Sequence, residues 1–205
     1  MVTQGSCGAC YAFAAVAAVE SWAAIRRGAG PPTPLSQQQV LDCSLGNSGC
    51  SGGTIPAALA YVASTGLCAA AAYPYVGAQA AACGAASCTI VAPRPVSFAA
   101  VDCCAQAALE AAVAQQPVVV AICAREQPFQ FYAGGVLSGA CCTAVDHAVA
   151  IVGFGTDPET GLDFWLLKNQ WGVGWGEGGF MRLARGPEYG SSGNCGVLKY
   201  PARPT

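Results

Sequence analysis

The sequence is poor in charge and contains a single histidine, His147. Asp, Glu, Lys and Arg make up only 10% of its 205 residues, and the formal net charge is −2. No run is rich in Lys and Arg, which argues against an electrostatic nucleic-acid interface. No apolar run is long enough to span a bilayer, because the most apolar early stretch, residues 11–25, is short and contains Glu20. No basic region precedes that stretch, so we do not expect a signal peptide there.

Cysteine, by contrast, is abundant. Cytosolic proteins rarely carry 13 cysteines, so the count indicates an oxidising compartment. The number is odd, and at least one thiol stays free if the others pair. Hydrophobic residues make up 54% of the chain, which is typical of a globular protein and not of a disordered one.

Helical patterns come first along the chain and strand patterns later. Helices are predicted over residues 10–27, 36–43, 54–66 and 105–116. Strands are predicted over residues 117–124, 147–155, 163–171 and 178–185. This order indicates an α+β fold with two segregated lobes, a helical one over residues 1–99 and a β-rich one over residues 100–205. Ser36 is predicted to cap the second helix, with Gln39 as its capping-box partner.

Cys7 and Cys10, in QGSCGACYAF (residues 4–13), form a CxxC pair with three possible roles. A zinc site needs about four ligands, and the sequence offers no second CxxC and only one histidine. A thioredoxin-type redox pair also lies at a helix N-terminus, but there the motif follows a strand, and no strand pattern precedes Cys7. A nucleophilic thiol needs an imidazole and a third group that orients the imidazole.

His147 and Asn169 are the candidates for those two groups. His147 begins an apolar strand in VDHAVAIVGFG, and Asn169 lies at the end of another in LLKNQWGVGWGEGGF. Without the family pattern, His147 would be interpreted as a histidine of the core. Asn169 would be interpreted as a turn residue between two strands. Papain-like enzymes carry CG[SA]C[WY] with His and Asn about 130–150 residues downstream, and CGACY followed by His147 and Asn169 fits that pattern.

The sequence resembles the papain family of cysteine proteases along nearly its whole length. Similar motifs occur in family order: QGSCGACYAF, LSQQQVLDC, GCSGG, YPY, DHAVAIVGFG and KNQWGVGWGEGGFMRLARG. The resemblance implies a papain-like two-lobe fold, with a helical N-terminal lobe, a β-barrel-like C-terminal lobe and the active site in the cleft between them. It implies a thiol protease without cofactor or metal. An endopeptidase is expected, because no insertion like the cathepsin B loop lies between Cys50 and Cys83.

The resemblance also implies roles for individual residues. Cys10 would be the nucleophile that forms a thioester, and His147 would be its ion-paired partner and proton donor. Asn169 would orient the imidazole, and Trp171 would shield the bond between Asn169 and the ring from water. Gln4 and the backbone N–H of Cys10 would form the oxyanion hole.

Substrate-binding positions follow from the same resemblance. They are Gly52, Gly53, Thr54, Ile55, Ala121, Val145, Asp146 and Trp171. The glycines would bind the backbone of an extended peptide. The residues expected at the walls of the specificity pocket are small or apolar: Thr54, Ile55, Ala121 and Val145. They predict a preference for a hydrophobic side chain at P2, the second residue before the cleaved bond. The segment after Cys195 is shorter than in the family, so the pocket floor has no assigned residue.

The family pattern implies three disulfides: Cys7–Cys50, Cys43–Cys83 and Cys141–Cys195. Six cysteines lie beyond that set: Cys68, Cys88, Cys103, Cys104, Cys123 and Cys142. Neighbours in sequence are not expected to bridge to each other, because the geometry strains the bond. We expect Cys123 to be a buried free thiol. We expect one extra bridge between Cys68 or Cys88 and Cys103 or Cys104.

Three departures from the family pattern bear on activity. Tyr11 stands where Trp is commoner, and Gln170 stands where Ser usually follows the Asn, so a larger side chain is expected beside the Trp171 lid. Measured against the family, the sequence lacks a propeptide and the first part of the mature domain. The alternative function is therefore a catalytically inactive homologue that binds peptides or partners, or a truncated fragment.

The expected partners are polypeptide substrates and cystatin-like inhibitors, with neither nucleic acid nor membrane. A monomer is expected, because no interface is marked in the sequence. The family and the cysteine content together predict a lysosomal, vacuolar or extracellular location.

Overall fold

The first part of the chain folds into helices, and the rest is built around one sheet. The structure is a computed structural model that describes residues 2–28, 30–91, 93–139 and 141–205. Its α-helices are α1 Cys10–Arg27, α2 Gln37–Cys43, α3 Ile55–Thr65, α4 Gln106–Val113 and α5 Gln127–Gln130. Short 3-10 turns cover Gly49–Ser51, Ala85–Ser87, Pro187–Tyr189 and Asn194–Gly196. Within the described ranges, none of the helices combines the length and apolar character needed to cross a membrane.

Helix α1 is the central element of the helical part. Its Ala-rich sequence lets it pack closely, and most of its residues between Tyr11 and Ala23 are buried. It begins at Cys10 without a side-chain cap and ends at Gly28, whose φ is 74° and whose N–H donates to Ile25 O. Glycine favours this left-handed conformation at helix ends. The helix predicted over residues 10–27 is confirmed.

The capping prediction for α2 is half confirmed. Ser36 Oγ accepts the N–H of Gln39 at 2.9 Å, as an N-cap does. The Gln39 side chain does not accept the backbone N–H of Ser36, as a capping box requires, because it bonds to other residues. Its amide donates to Tyr61 Oη and Gly66 O, and its oxygen accepts the N–H of Cys68. Gln39 therefore ties α2 to α3 instead of to its own helix start.

Seven strands form one mixed sheet in the order β1-β7-β2-β4-β5-β6-β3. They are β1 Phe98–Ala100, β2 Val118–Ile122, β3 Val136–Leu137, β4 His147–Thr156, β5 Asp163–Lys168, β6 Phe180–Ala184 and β7 Ala202–Pro204. Neighbours pair antiparallel except β3 with β6. The four longer strands confirm the predicted runs, although β5 ends at Lys168 and leaves residues 169–171 in the following turn. The strands β1, β3 and β7 were not predicted, since two or three residues show no periodicity.

Two buried clusters share the central strands of the sheet. The first surrounds α1, α2 and α3 and includes Val119 and Ala148. The second lies on the other side and includes Val118 and Val120. Successive strand residues point to opposite faces, so β2 is apolar throughout because both of its faces are covered. Helix α1 therefore packs directly on β2 and β4.

Five disulfides connect the described residues: Cys7–Cys50, Cys43–Cys83, Cys68–Cys88, Cys123–Cys142 and Cys141–Cys195. Three of them are the pairs that the resemblance implied. The cysteines described as free are Cys10, Cys103 and Cys104.

Two predictions about the remaining cysteines were wrong. Cys68 bridges to Cys88 and not to Cys103 or Cys104, because the chain turns back and pairs Cys68 with Ile90 in an antiparallel β-bridge. Cys123 is buried as expected but is not free. The loop that carries Cys142 folds over the end of β2, so the two thiols meet. Contacts of this kind between loops leave no periodic signal in the sequence.

Arg182 on β6 is the centre of a charged network. Its Nε lies 3.2 and 3.0 Å from the two carboxylate oxygens of Glu177, and its guanidinium also pairs with Asp157. The hydrogen bond from Arg182 lowers the pKa of Glu177. The hydrogen bond from the backbone of Thr160 lowers the pKa of Asp157. Both carboxyl groups therefore stay ionised at a pH at which free carboxyl groups begin to bind protons.

We expect this network to support stability in mild acid. A carboxylate with a lowered pKa stabilises the fold fully above its unfolded pKa of about 4, and the contribution is lost as the pH falls through the folded pKa. Glu177→Gln should lower the free energy of unfolding by about 1 kcal/mol near pH 6, because the ion pair is partly exposed. The variant should also show a shallower loss of stability in acid. Urea unfolding with intact disulfides, repeated over a pH series, measures both effects.

Glu188→Gln is the matched control for this prediction. Glu188 is exposed and has no hydrogen bond within the described part of the chain. Its replacement should leave the acid dependence unchanged. Equal acid slopes in the wild type and in Glu177→Gln would contradict the prediction.

Candidate active site

Cys10 is held at the start of α1 by the segment before it. The Cys7–Cys50 disulfide anchors that segment, and the N–H of Gly8 donates to Cys50 O at 2.9 Å. A Cβ atom on Gly8 would lie 2.6 Å from Cys50 O, so the approach of the two backbones requires glycine. The thiol of Cys10 is thereby placed at a helix N-terminus, where the helix dipole favours negative charge.

His147 is the first residue of β4 and is only 8% exposed. It stands opposite Ile122 in the register of β2 and β4. The backbone of Ala148, the next residue, lies close enough to the Cys10 thiol to lower its pKa. Cys10 and His147 line the same groove. The packing of α1 on β4 thus brings together two residues that are far apart in sequence.

Asn169 and Trp171 surround the other side of the imidazole. Asn169 Oδ1 lies 2.9 Å from His147 Nε2, and the ring nitrogen donates because an amide oxygen only accepts. Asn169 is 2% exposed, and its own N–H donates to Gly179 O. The indole ring of Trp171 lies 5.0 Å from the imidazole, centroid to centroid. This arrangement leaves Nδ1 of His147 available on the side away from Asn169.

Burial shifts the pKa values of Cys10 and His147 in the directions that favour the neutral form of each side chain. Burial raises the pKa of the Cys10 thiol, and hydrogen bonds from the backbone of Ala148 and Tyr11 counteract part of this rise. Burial lowers the pKa of His147, against the hydrogen bond with Asn169. Each shift disfavours one isolated charge. A thiolate and an imidazolium attract each other, and this attraction opposes the cost of burying the two charges.

Gln4 is fixed beside the loop that leads to Cys10. Its side-chain N–H donates to Cys7 O at 2.9 Å, and its backbone N–H donates to Gln170 O at 2.9 Å. Its carbonyl accepts the hydroxyl of Tyr75 at 2.8 Å. Gln4 therefore links the helical part of the chain to the turn after β5. Its side-chain oxygen is buried without a hydrogen-bond partner among the described residues.

Gln170 makes contacts at the site that the sequence did not predict. Its side chain is buried, and Nε2 donates to Ala148 O at 2.8 Å. The same nitrogen lies 3.4 Å from His147 Nε2. An N–H donor is thus placed near the ring nitrogen that already donates to Asn169. Only the position of Gln170 beside Asn169 hinted at this role, because its side-chain direction depends on the turn after β5.

The groove that contains Cys10 and His147 has a volume of about 710 Å³. The predicted substrate-binding residues along it are Gly53, Thr54, Ile55, Ala121, Val145 and Asp146. Gly52 and Trp171 lie outside its lining. Residues that the sequence did not suggest complete its walls: Pro56, Phe98, Ala100, Val101, Asp102, Cys103, Ala148, Lys199, Tyr200, Pro201 and Ala202. Most belong to β1, β7 and the adjoining turns, which carry too few residues for a recognisable pattern.

One group of potential metal ligands among the described residues lies outside the lining of the groove. Single ligand atoms of Cys123, Glu126 and Cys142 lie within 4.8 Å of one another. The two cysteines are joined in a disulfide, so neither can supply the thiolate that a metal would bind. The cluster therefore does not have the donor set of a zinc site.

The chain is similar to plant cysteine proteases over nearly its whole length. A sequence profile described as papain family cysteine protease matches residues 1–205. Cysteine endopeptidase Rep1 of Oryza sativa subsp. japonica and ananain of Ananas comosus are each 41% identical over 98% of this chain. The chain spans about half the length of these relatives, 54% of the first and 56% of the second.

Solved structures of similar proteins share this architecture. The cysteine protease CMS1MS2 of Carica candamarcensis, in complex with E-64, has a TM-score of 0.92 and 40% identity, covering 100% of this chain and 92% of that chain. Bromelain from Ananas comosus, in complex with the E64 inhibitor, has a TM-score of 0.93 at 40% identity with the same coverage. The fold is thus the papain-like two-lobe α+β fold. The chain belongs to the papain family of cysteine proteases.

Proposed function

We propose that the chain is a cysteine endopeptidase that hydrolyses peptide bonds through Cys10 and His147. The observation that carries the proposal is their position in one groove, with Cys10 at a helix start and Asn169 bonded to the far nitrogen of the imidazole. The helix N-terminus and the backbone of Ala148 stabilise a thiolate. The 41% identity to cysteine endopeptidase Rep1 points to the same activity.

The proposed reaction proceeds by successive proton transfers through His147 and by one thioester intermediate on Cys10. The Cys10 thiol gives its proton to Nδ1 of His147, and the thiolate attacks the carbonyl carbon of the scissile bond. The backbone N–H of Cys10 and the amide of Gln4 donate to the resulting oxyanion. The imidazolium protonates the departing amine, which leaves a thioester. A water molecule, deprotonated by the imidazole, hydrolyses the thioester and restores the thiol.

Substrate choice in this proposal depends on the apolar part of the groove. Ile55, Ala121 and Val145 present hydrocarbon to it. Transfer of a hydrophobic P2 side chain from water into this part of the groove is favourable, whereas a charged side chain would lose its hydration. Gly53 lets an extended peptide backbone approach closely, in the manner of an added strand.

The wider context of the enzyme is part of the same proposal. The lobes are residues 1–99 and 100–205, and polypeptides are cleaved in the cleft between them. Cystatin-like proteins act as inhibitors, and the enzyme works as a monomer. Five disulfides need an oxidising environment, which supports a vacuolar, lysosomal or extracellular location.

Active-site labelling tests the proposed nucleophile. We expect an epoxide of the E-64 type to label Cys10 stoichiometrically at about pH 5.5, because only a poised thiolate reacts quickly in acid. Peptide mass mapping locates the label and separates Cys10 from the free thiols of Cys103 and Cys104. The Cys10→Ala variant should take up no label under the same conditions. A folded wild-type chain that stays unlabelled would favour the alternative, a homologue that binds peptides without cleaving them.

The position of Gln170 predicts a change in the pH profile. Its N–H donor near Nε2 disfavours the imidazolium, so Gln170→Ser should stabilise the charged ring. We expect the midpoint of the alkaline limb of the kcat/KM profile to move to higher pH by about 0.5 pH units, equivalent to about 0.7 kcal/mol. The matched control is Gln116→Ser, which also removes a bond from a glutamine amide to a backbone carbonyl, that of Pro204. An alkaline limb that stays in place or falls in Gln170→Ser would refute this role.

Peptides that differ only at P2 test the proposed specificity. We expect kcat/KM for Leu at P2 to exceed that for Arg by about tenfold or more. Val145→Thr, which places a hydroxyl in the groove at nearly constant volume, should reduce this ratio. Val173→Thr is the control, because Val173 is 64% exposed and lies outside the groove lining. Equal or faster cleavage of the Arg peptide would show that the apolar walls do not select the substrate.

A further inference from the structure

Two adjacent free cysteines lie at the wall of the groove. Cys103 and Cys104 are both exposed, and Cys103 lines the same groove as Cys10. Their sulphur atoms are 2.9 Å apart, roughly 0.9 Å more than the length of a disulfide bond. The proposed peptide hydrolysis uses neither thiol. The reactivity of these two thiols therefore has no role in the proposed protease mechanism.

The backbone of the turn keeps the two thiols face to face. Cys104 has a φ of 68°, a conformation that residues with a side chain rarely adopt. The turn is held at both ends by the segment before β7: the N–H of Cys104 donates to Leu198 O at 3.0 Å, and the N–H of Val101 donates to Pro201 O at 2.9 Å. The surrounding structure therefore stabilises an arrangement that the free chain would seldom populate.

We propose that Cys103 and Cys104 form a redox-active vicinal dithiol, which low-molecular-weight disulfides of the glutathione type convert to a disulfide. One protein thiolate attacks the small disulfide, giving a mixed disulfide and one small thiol. The second protein thiolate attacks the protein sulphur of that mixed disulfide and releases a second small thiol. The small disulfide accepts two electrons, and the two protons of the dithiol end on the released thiols.

The bridge formed in this way is labile, unlike the five structural disulfides. The Cα atoms of adjacent residues lie about 3.8 Å apart across a trans peptide, below the usual span of 4.4–6.8 Å for a disulfide. Strained and exposed disulfides are the ones that are readily reduced. The strain that argues against a permanent bridge between neighbours thus favours a reversible one. Closure draws the Cys103 sulphur towards Cys104 and so changes the part of the groove wall that Cys103 forms.

The pH dependence of the exchange follows from the surroundings of the pair. The hydrogen bond with Cys103 raises the pKa of the Cys104 thiol, and the charge of Lys199 opposes that rise. Thiolate is the attacking species, so exchange should become faster from neutral towards mildly alkaline pH.

Mass mapping of the Cys10→Ala protein tests the proposal, since the proposed nucleophile then cannot compete for the reagent. The folded protein is treated with limiting phosphine to open labile bridges, freed of reductant and divided. One half receives oxidised glutathione, and both halves are then alkylated and digested. Without glutathione, Cys103 and Cys104 should both be alkylated. With glutathione, the peptide that contains them should carry neither alkyl group nor glutathione and should be lighter than the dithiol by two hydrogen atoms.

Two single variants in the same background make the test specific. Cys103→Ser and Cys104→Ser each lack the second thiol, so each should retain one glutathione on the remaining cysteine. Glutathione that persists on the unsubstituted pair would overturn the proposal, as would two thiols that remain open to alkylation. A bridge from either residue to another cysteine would overturn it as well. The readout is a mass and involves no peptide cleavage, so its outcome is independent of the proposed protease activity.

Discussion

The structure depends on the packing of α1 against β2 and β4. This contact buries the Ala-rich face of the helix together with Val119 and Ala148 of the sheet. Small side chains along α1 allow the close approach, and the approach brings the helix start to the head of β4. Without it, Cys10 and His147 would belong to separate parts of the protein. Packing of an apolar surface thus does the work of assembling a polar site.

Interactions around this contact hold the two residues in place from both sides. On the helix side, the Cys7–Cys50 disulfide and the glycine at position 8 fix the loop before Cys10. On the sheet side, the turn after β5 supplies Asn169 and Gln170 to the imidazole. Gln4 joins the two sides through its bond to Gln170 O. Backbone hydrogen bonds of Gly8, Gln4 and Asn169 therefore fix the segments that carry the site.

The sequence contained enough information to predict the long elements and to select Cys10, His147 and Asn169, which the fold brings to one place. Helix α1 and strands β2 and β4 have many residues in a regular pattern, and the motifs around Cys10, His147 and Asn169 resemble a known family. Short elements such as β7 could not be predicted, because periodicity needs more than three residues. The pairing of Cys123 with Cys142 and the direction of the Gln170 side chain depend on how loops fold over the sheet. Such tertiary contacts are not encoded in any local pattern.

The position of β7 determines when the groove can form during synthesis of the chain. This strand follows all the others in the chain, yet it lies between β1 and β2 in the sheet, and Ala202 forms part of the groove wall. A ribosome makes the chain from its N-terminus, so the strand that fills this gap is the last of the seven to emerge. A nascent chain can bury α1 and close its first disulfides while the groove still lacks one wall. The order of synthesis thereby delays an intact groove until translation has passed β7.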